Sequence, residues 1–102
     1  MKIKPYRSRD YLKWVSQQPC IKDKYQNEDV VAHHLMRAEP GIMGGKVSDA
    51  WVVPIRSVHH NALHKCGDEK RYFKEQVMME YEEVKAYALR LFEEYHKRRI
   101  HQ

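Results

Sequence analysis

From Asp68 to Gln102 the chain has neither glycine nor proline, and Phe73, Val77, Tyr81, Val84, Ala88, Leu91 and Tyr95 recur at steps of three or four residues. That spacing gathers the apolar side chains into one stripe of an α-helix and leaves charge on the other face. Asp68 is a suitable N-cap for it. The last third of the chain is therefore committed to helix, as one long helix or as two broken near Met78-Met79. Its stripe needs a surface to cover. A dimeric coiled coil would provide one, but the expected arrangement is packing onto a small β-layer of the same chain.

The rest of the chain supplies that layer. Val30–Leu35 and Trp51–Ile55 are short β-prone runs,. Between them lies a loop holding three of the four glycines, long enough to join two antiparallel strands,. Ser8 is a good N-cap, Asp10 suits a first helical turn, and Tyr11, Leu12, Trp14 and Val15 have helical spacing. A short helix is thus expected over Arg9–Gln17, ended by Pro19, with Trp14 in the core. His59–Lys65 reads as another short helix, stopped at Gly67. The class is α+β, a single domain over residues 1–102. Its order of strand, loop, strand and helix, with histidines on the first strand and the helix, is a ββα arrangement around a metal.

Seven histidines are present, and five of them fall between His33 and His64. His60 and His64 stand at i and i+4, so a helix points them the same way. With the pair His33-His34 brought in from a strand, they make a divalent-metal site. Successive residues of a regular strand face opposite sides, so a regular strand would exclude one of His33 and His34 from that site. A bulge would admit both.

Charge adds a partner class. Residues 1–40 carry eight Lys/Arg against five Asp/Glu, and residues 67–102 carry eight against eight. The excess lies where the histidines are, and a polyanion suits such a surface. Arg37 and Lys46, beside Gly44-Gly45, are candidates for seating a phosphate. Arg9 and Lys13, with Lys2, Lys4 and Arg7, are candidates for following a nucleic-acid backbone. A basic solvated face is the plainer reading of the same residues. No apolar run is long enough for a bilayer and no secretory signal is visible. Two cysteines, Cys20 and Cys66, are too few for a disulfide framework, so a cytoplasmic protein is expected,.

The run Ala32-His33-His34, then Gly44-Gly45-Lys46, Asp49, Pro54-Ile55 and His59-His60-Asn61-Ala62-Leu63-His64, resembles the HNH (His-Me finger) endonucleases. The likeness is greatest to their phage-borne group, which includes the Ref recombination-enhancement nuclease and prophage HNH proteins. It covers roughly residues 19–73, leaving a C-terminal helical extension over 68–99. The resemblance implies a metal-dependent endonuclease acting on DNA. His34 would be the general base, Asp49 would orient it or complete the metal shell, and His33, His60 and His64 would hold one divalent ion. By ligand chemistry that ion is Zn, Ni, Mn or Co, or Mg with help from Asp49 and water. A recombination protein is a further partner that the resemblance implies, with the chain a monomer or homodimer.

Many HNH proteins also hold a structural zinc between two Cys knuckles. Here Cys20 and His59 match knuckle positions, but Asp23 and Arg56 stand at the others. Two good ligands do not hold a tetrahedral zinc well, so no structural zinc is expected and the C-terminal helical third supplies stability instead. Two alternatives remain open: a degenerate HNH domain that binds DNA or a recombination partner without cutting, and a structural zinc module.

Overall fold

A computed structural model describes residues 6–25, 29–38 and 47–100. Helix α1 spans Arg9–Ser16 and begins where the Ser8 hydroxyl accepts the Tyr11 N–H. Its buried residues are Tyr11 and Val15, one turn apart. Its last helical residue is Ser16, with Gln17 as the C-cap, one residue short of the expected Arg9–Gln17.

Strands β1 (Val30–His34) and β2 (Val52–Arg56) pair antiparallel, with Ala32 opposite Pro54, His33 opposite Val53 and His34 opposite Val52. β1 therefore ends before Leu35, and β2 is shifted one residue on from the Trp51–Ile55 expectation. Proline is tolerated inside β2 because the two-stranded sheet gives it an outer edge,. There the Pro54 carbonyl accepts the Ile21 N–H at 2.8 Å, which fastens the loop after α1 to the sheet.

Helix α2 (Ser57–Cys66) follows β2 with no intervening residue and ends at Gly67, whose φ of 73° is the left-handed conformation that favours glycine,. It is longer at both ends than the His59–Lys65 expectation. The helical third is broken. Asp68 caps α3 (Glu69–Tyr72) by accepting the Arg71 N–H, and α3 runs into a π-helical turn over Phe73–Val77. Met78, at φ 62°, then breaks the helix before α4 (Tyr81–Ile100). Of the two forms left open for this third, the structure takes the two-helix one.

Alternation along β2 separates two cores. Val53 and Ile55 join Ile21, Leu35, Leu63, Phe73, Val84 and Ala88 in the larger. Val52 joins Tyr11, Val15 and Tyr95 in the smaller, with Phe92 and a half-buried Trp14 at its margin. The α4 stripe is thus covered within the chain, where Tyr81, Val84, Ala88 and Tyr95 are buried and Leu91 is half-buried. The result is an α+β arrangement with one small sheet set among helices. Among the described residues, no helix is long and apolar enough to cross a membrane.

Candidate functional site

β1 keeps a regular register through His34, so its last two residues point to opposite sides and serve two different groups. His33 is 4% exposed and turns toward α2. Its Nδ1 lies 3.1 Å from His60 Nε2, which lies 3.1 Å from His64 Nε2. His60 and His64 meet because they are one helical turn apart on α2.

The far side of the His33 ring is tied down. Its Nε2 lies 2.8 Å from Glu69 Oε2. A carboxylate only accepts, so His33 Nε2 carries the hydrogen and Nδ1 is left as a lone pair directed at His60. Glu69 is held in turn by the Tyr81 hydroxyl, which donates to Oε1, and by the Met36 N–H at 3.2 Å. Tyr81 accepts the Arg37 N–H at 3.1 Å. Burial alone would raise the Glu69 carboxyl, but the bonds from His33 and Tyr81 outweigh it and hold the group below its ordinary value,. Burial, with His33 and His64 close by, pulls His60 down and favours its neutral form.

Three imidazole nitrogens so placed suit a divalent ion. Metal–nitrogen bonds of about 2.0–2.1 Å put neighbouring ligands roughly 3.0–3.4 Å apart; His60 stands 3.1 Å from each of the other two, and all three donors lie within 4.8 Å of one another. The ring orientation set by Glu69 is the outer-shell support that such ligands use. One side is open: His64 is exposed, and a cleft of about 180 Å³ beside it is lined by His33, Met36, Arg37, Leu63, His64 and Glu69.

His34 belongs to the second group. Its Nε2 lies 2.8 Å from Asp49 Oδ1, and Asp49 is 5% exposed. Asp49 also accepts the Ser8 N–H on Oδ2 at 2.9 Å and an Arg7 guanidinium N–H at 3.2 Å. Burial pushes its carboxyl upward, yet His34, Ser8 and Arg7 together keep it below the usual carboxylate range,. The charged Asp49 therefore takes the hydrogen of His34 Nε2 and leaves Nδ1 as a proton acceptor.

The sequence-predicted residues divide accordingly. His33, His60 and His64 come together, His34 and Asp49 come together, and the strand alternation that set His33 against His34 operates between the two groups. Arg37 lines the cleft, while Arg9 and Lys13 are exposed on α1, whose N-terminus is joined to Asp49 through Ser8. Lys46 and the Gly44-Gly45 turn lie outside the described residues. Sequence reasoning gave no role to Glu69 or Tyr81. Tyr81 reads as one more member of an apolar stripe, and its bond to Glu69 spans the helix break at Met78.

The knuckle positions differ from expectation in one respect. Two ligands, Cys20 and His59, are anticipated there, but ligand atoms of Cys20, Asp23 and His59 all lie within 4.8 Å of one another.

A family model described as "Protein of unknown function (DUF968)" matches residues 1–91, and the chain belongs to that family. The chain is also similar to "Uncharacterized protein YdfU" of Escherichia coli (strain K12), 41% identical over 54 residues. The alignment covers 53% of this chain and 15% of that relative, so the chain spans well under two thirds of the relative's length. No solved structure matches the chain.

Proposed function

We propose that this chain is a metal-dependent endonuclease of the HNH type, with a ββα-metal core formed by β1, β2 and α2, hydrolysing phosphodiester bonds of DNA. The observation that carries the reading is a pair of adjacent histidines, each bound to its own buried carboxylate. His33–Glu69 faces a cluster of imidazole donors, and His34–Asp49 forms a second pair at the same strand end. A structural role alone does not call for two such pairs at the end of one strand.

Phosphodiester hydrolysis needs an activated water, relief of charge on the phosphoryl oxygens and stabilisation of the leaving 3′ oxygen. His34 Nδ1 receives the proton of the attacking water, while Asp49 fixes the ring's tautomer and favours the imidazolium that forms. His33 Nδ1, His60 Nε2 and His64 Nε2 would hold one divalent ion, whose chemistry there is Lewis-acid stabilisation of a phosphoryl oxygen and the leaving oxygen. Imidazole donors suit Zn, Ni, Co or Mn. Arg37 beside the cleft, and Arg9 and Lys13 on α1, offer positive charge to a DNA backbone, a contribution that weakens steeply with salt.

The test is nicking of supercoiled plasmid in Mg²⁺, Mn²⁺, Ni²⁺ or Zn²⁺, beside an EDTA control and His34→Ala. The expected outcome is metal-dependent nicking that His34→Ala lowers by about 10²–10⁴-fold. Absence of nicking in every metal, with DNA still bound, would leave a binding module in place of a nuclease.

A further inference from the structure

Cys20 Sγ, an Asp23 carboxylate oxygen and a His59 ring nitrogen form a sulfur, carboxylate and imidazole set of the kind that holds zinc,. Here each of these donors already has a partner from the chain, and Arg56 supplies two of the contacts. Its backbone N–H donates to Cys20 Sγ at 3.3 Å, and its guanidinium donates to Asp23 Oδ2 at 3.0 Å. His59 Nε2 lies 2.9 Å from the same Oδ2, and the Tyr25 N–H donates to Oδ1 at 3.0 Å. Arg56 Nε also stands 3.5 Å from Asp29 Oδ2, an ion pair with a second carboxylate.

Two consequences follow from this wiring. A His59 Nε2 whose hydrogen points at Asp23 has no lone pair there for a metal. An incoming divalent ion would also meet a guanidinium already bound to the one anionic oxygen it most needs. The bonds from Tyr25, His59 and Arg56 outweigh burial and keep the Asp23 carboxyl well below its ordinary value, so its negative charge is already balanced,.

We propose that the Arg56 guanidinium is the resident cation of this cluster. Cys20, Asp23, Arg56 and His59 form a metal-type clasp closed by the chain's own charge, and the cluster becomes a site for a soft divalent ion such as zinc(II) when residue 56 is a thiolate ligand. The clasp joins the turn at Cys20–Tyr25, which is closed by the Cys20 N–H on the Tyr25 carbonyl, to the junction of β2 and α2. It does not depend on the nuclease reading. The backbone of residue 56 already touches the Cys20 sulfur, so a cysteine side chain there begins inside the cluster.

The experiment is cobalt(II) titration of the full chain in a His60→Ala background, which removes the three-histidine centre. With Arg56 present, no thiolate-to-cobalt charge-transfer band is expected, and EDTA leaves the melting temperature unchanged. With Arg56→Cys, one cobalt per chain with that band is expected, lost again when Cys20→Ser is added. A thiolate band with Arg56 in place, abolished by Cys20→Ser, would overturn the proposal by making the cluster a metal site as it stands. So would a folded Arg56→Cys chain that binds no cobalt. If Arg56→Cys does not fold, a double-mutant cycle of Arg56→Gln and Asp23→Asn in EDTA decides, with coupled melting shifts expected and additive shifts contradicting the clasp.

Discussion

His59 and His60 are neighbours on α2, roughly 100° apart around the helix, and they serve two clusters balanced in different ways. His60 joins His33 and His64, three rings for which, among the described residues, no cationic side chain provides a bond. The nearest charge is the Glu69 carboxylate behind His33, which strengthens that ring as a donor. His59 joins Cys20 and Asp23, where the Arg56 guanidinium is bonded to the same Asp23 oxygen as His59. Both clusters gather ligand atoms within 4.8 Å. Proximity of donors therefore does not distinguish a metal centre from an ion-pair clasp. What distinguishes them is whether a positive charge from the chain is already bonded to the donors.

That difference predicts separable phenotypes. The largest effect away from either cluster belongs to Asp49. Asp49→Asn takes the orienting charge from His34 and is expected to lower nicking by about 10²-fold or more, with divalent-ion affinity unchanged by calorimetry. A parallel fall in affinity would mean that Asp49 belongs to the metal shell, and the two-group division would be wrong. Next is Glu69→Gln, which removes the charge behind His33 and is expected to weaken divalent-ion binding by about 10–100-fold. Tyr81→Phe removes one hydrogen bond to Glu69, and a loss near 1 kcal/mol corresponds to about fivefold in affinity. An effect of Tyr81→Phe larger than that of Glu69→Gln would break the relay.

The smallest expected effect is on acid stability. The folded Asp49 carboxyl lies below its unfolded value of 3.8. Its contribution is therefore complete above that pH and is lost as the pH falls toward the folded value. Denaturant titrations from pH 5 down to pH 3 should show wild type losing more stability than Asp49→Asn, with the two curves converging in acid.

Much of the architecture was readable from local chemistry. Ser8, Gly67 and Asp68 mark helix ends by well-understood capping physics, and the step of three and four from Phe73 to Tyr95 marks the helical third. The i, i+4 pair His60 and His64 and the opposed faces of His33 and His34 follow from helix and strand periodicity alone. The break at Met78 was open because a methionine in the left-handed region leaves no compositional trace. Glu69 and Tyr81 stayed hidden behind it, since their contact spans that break. Arg56 was misleading for a related reason. It stands where a ligand is expected, and only its tertiary contacts with Asp23 and Cys20 reveal a charge that substitutes for one.

The most direct measurement is the metal content of three chains loaded with zinc(II) or manganese(II) and dialysed: wild type, His60→Ala and Cys20→Ser. The account predicts one ion per chain in wild type, none in His60→Ala and one in Cys20→Ser. Two ions in wild type, or an ion retained in His60→Ala and lost in Cys20→Ser, would contradict it.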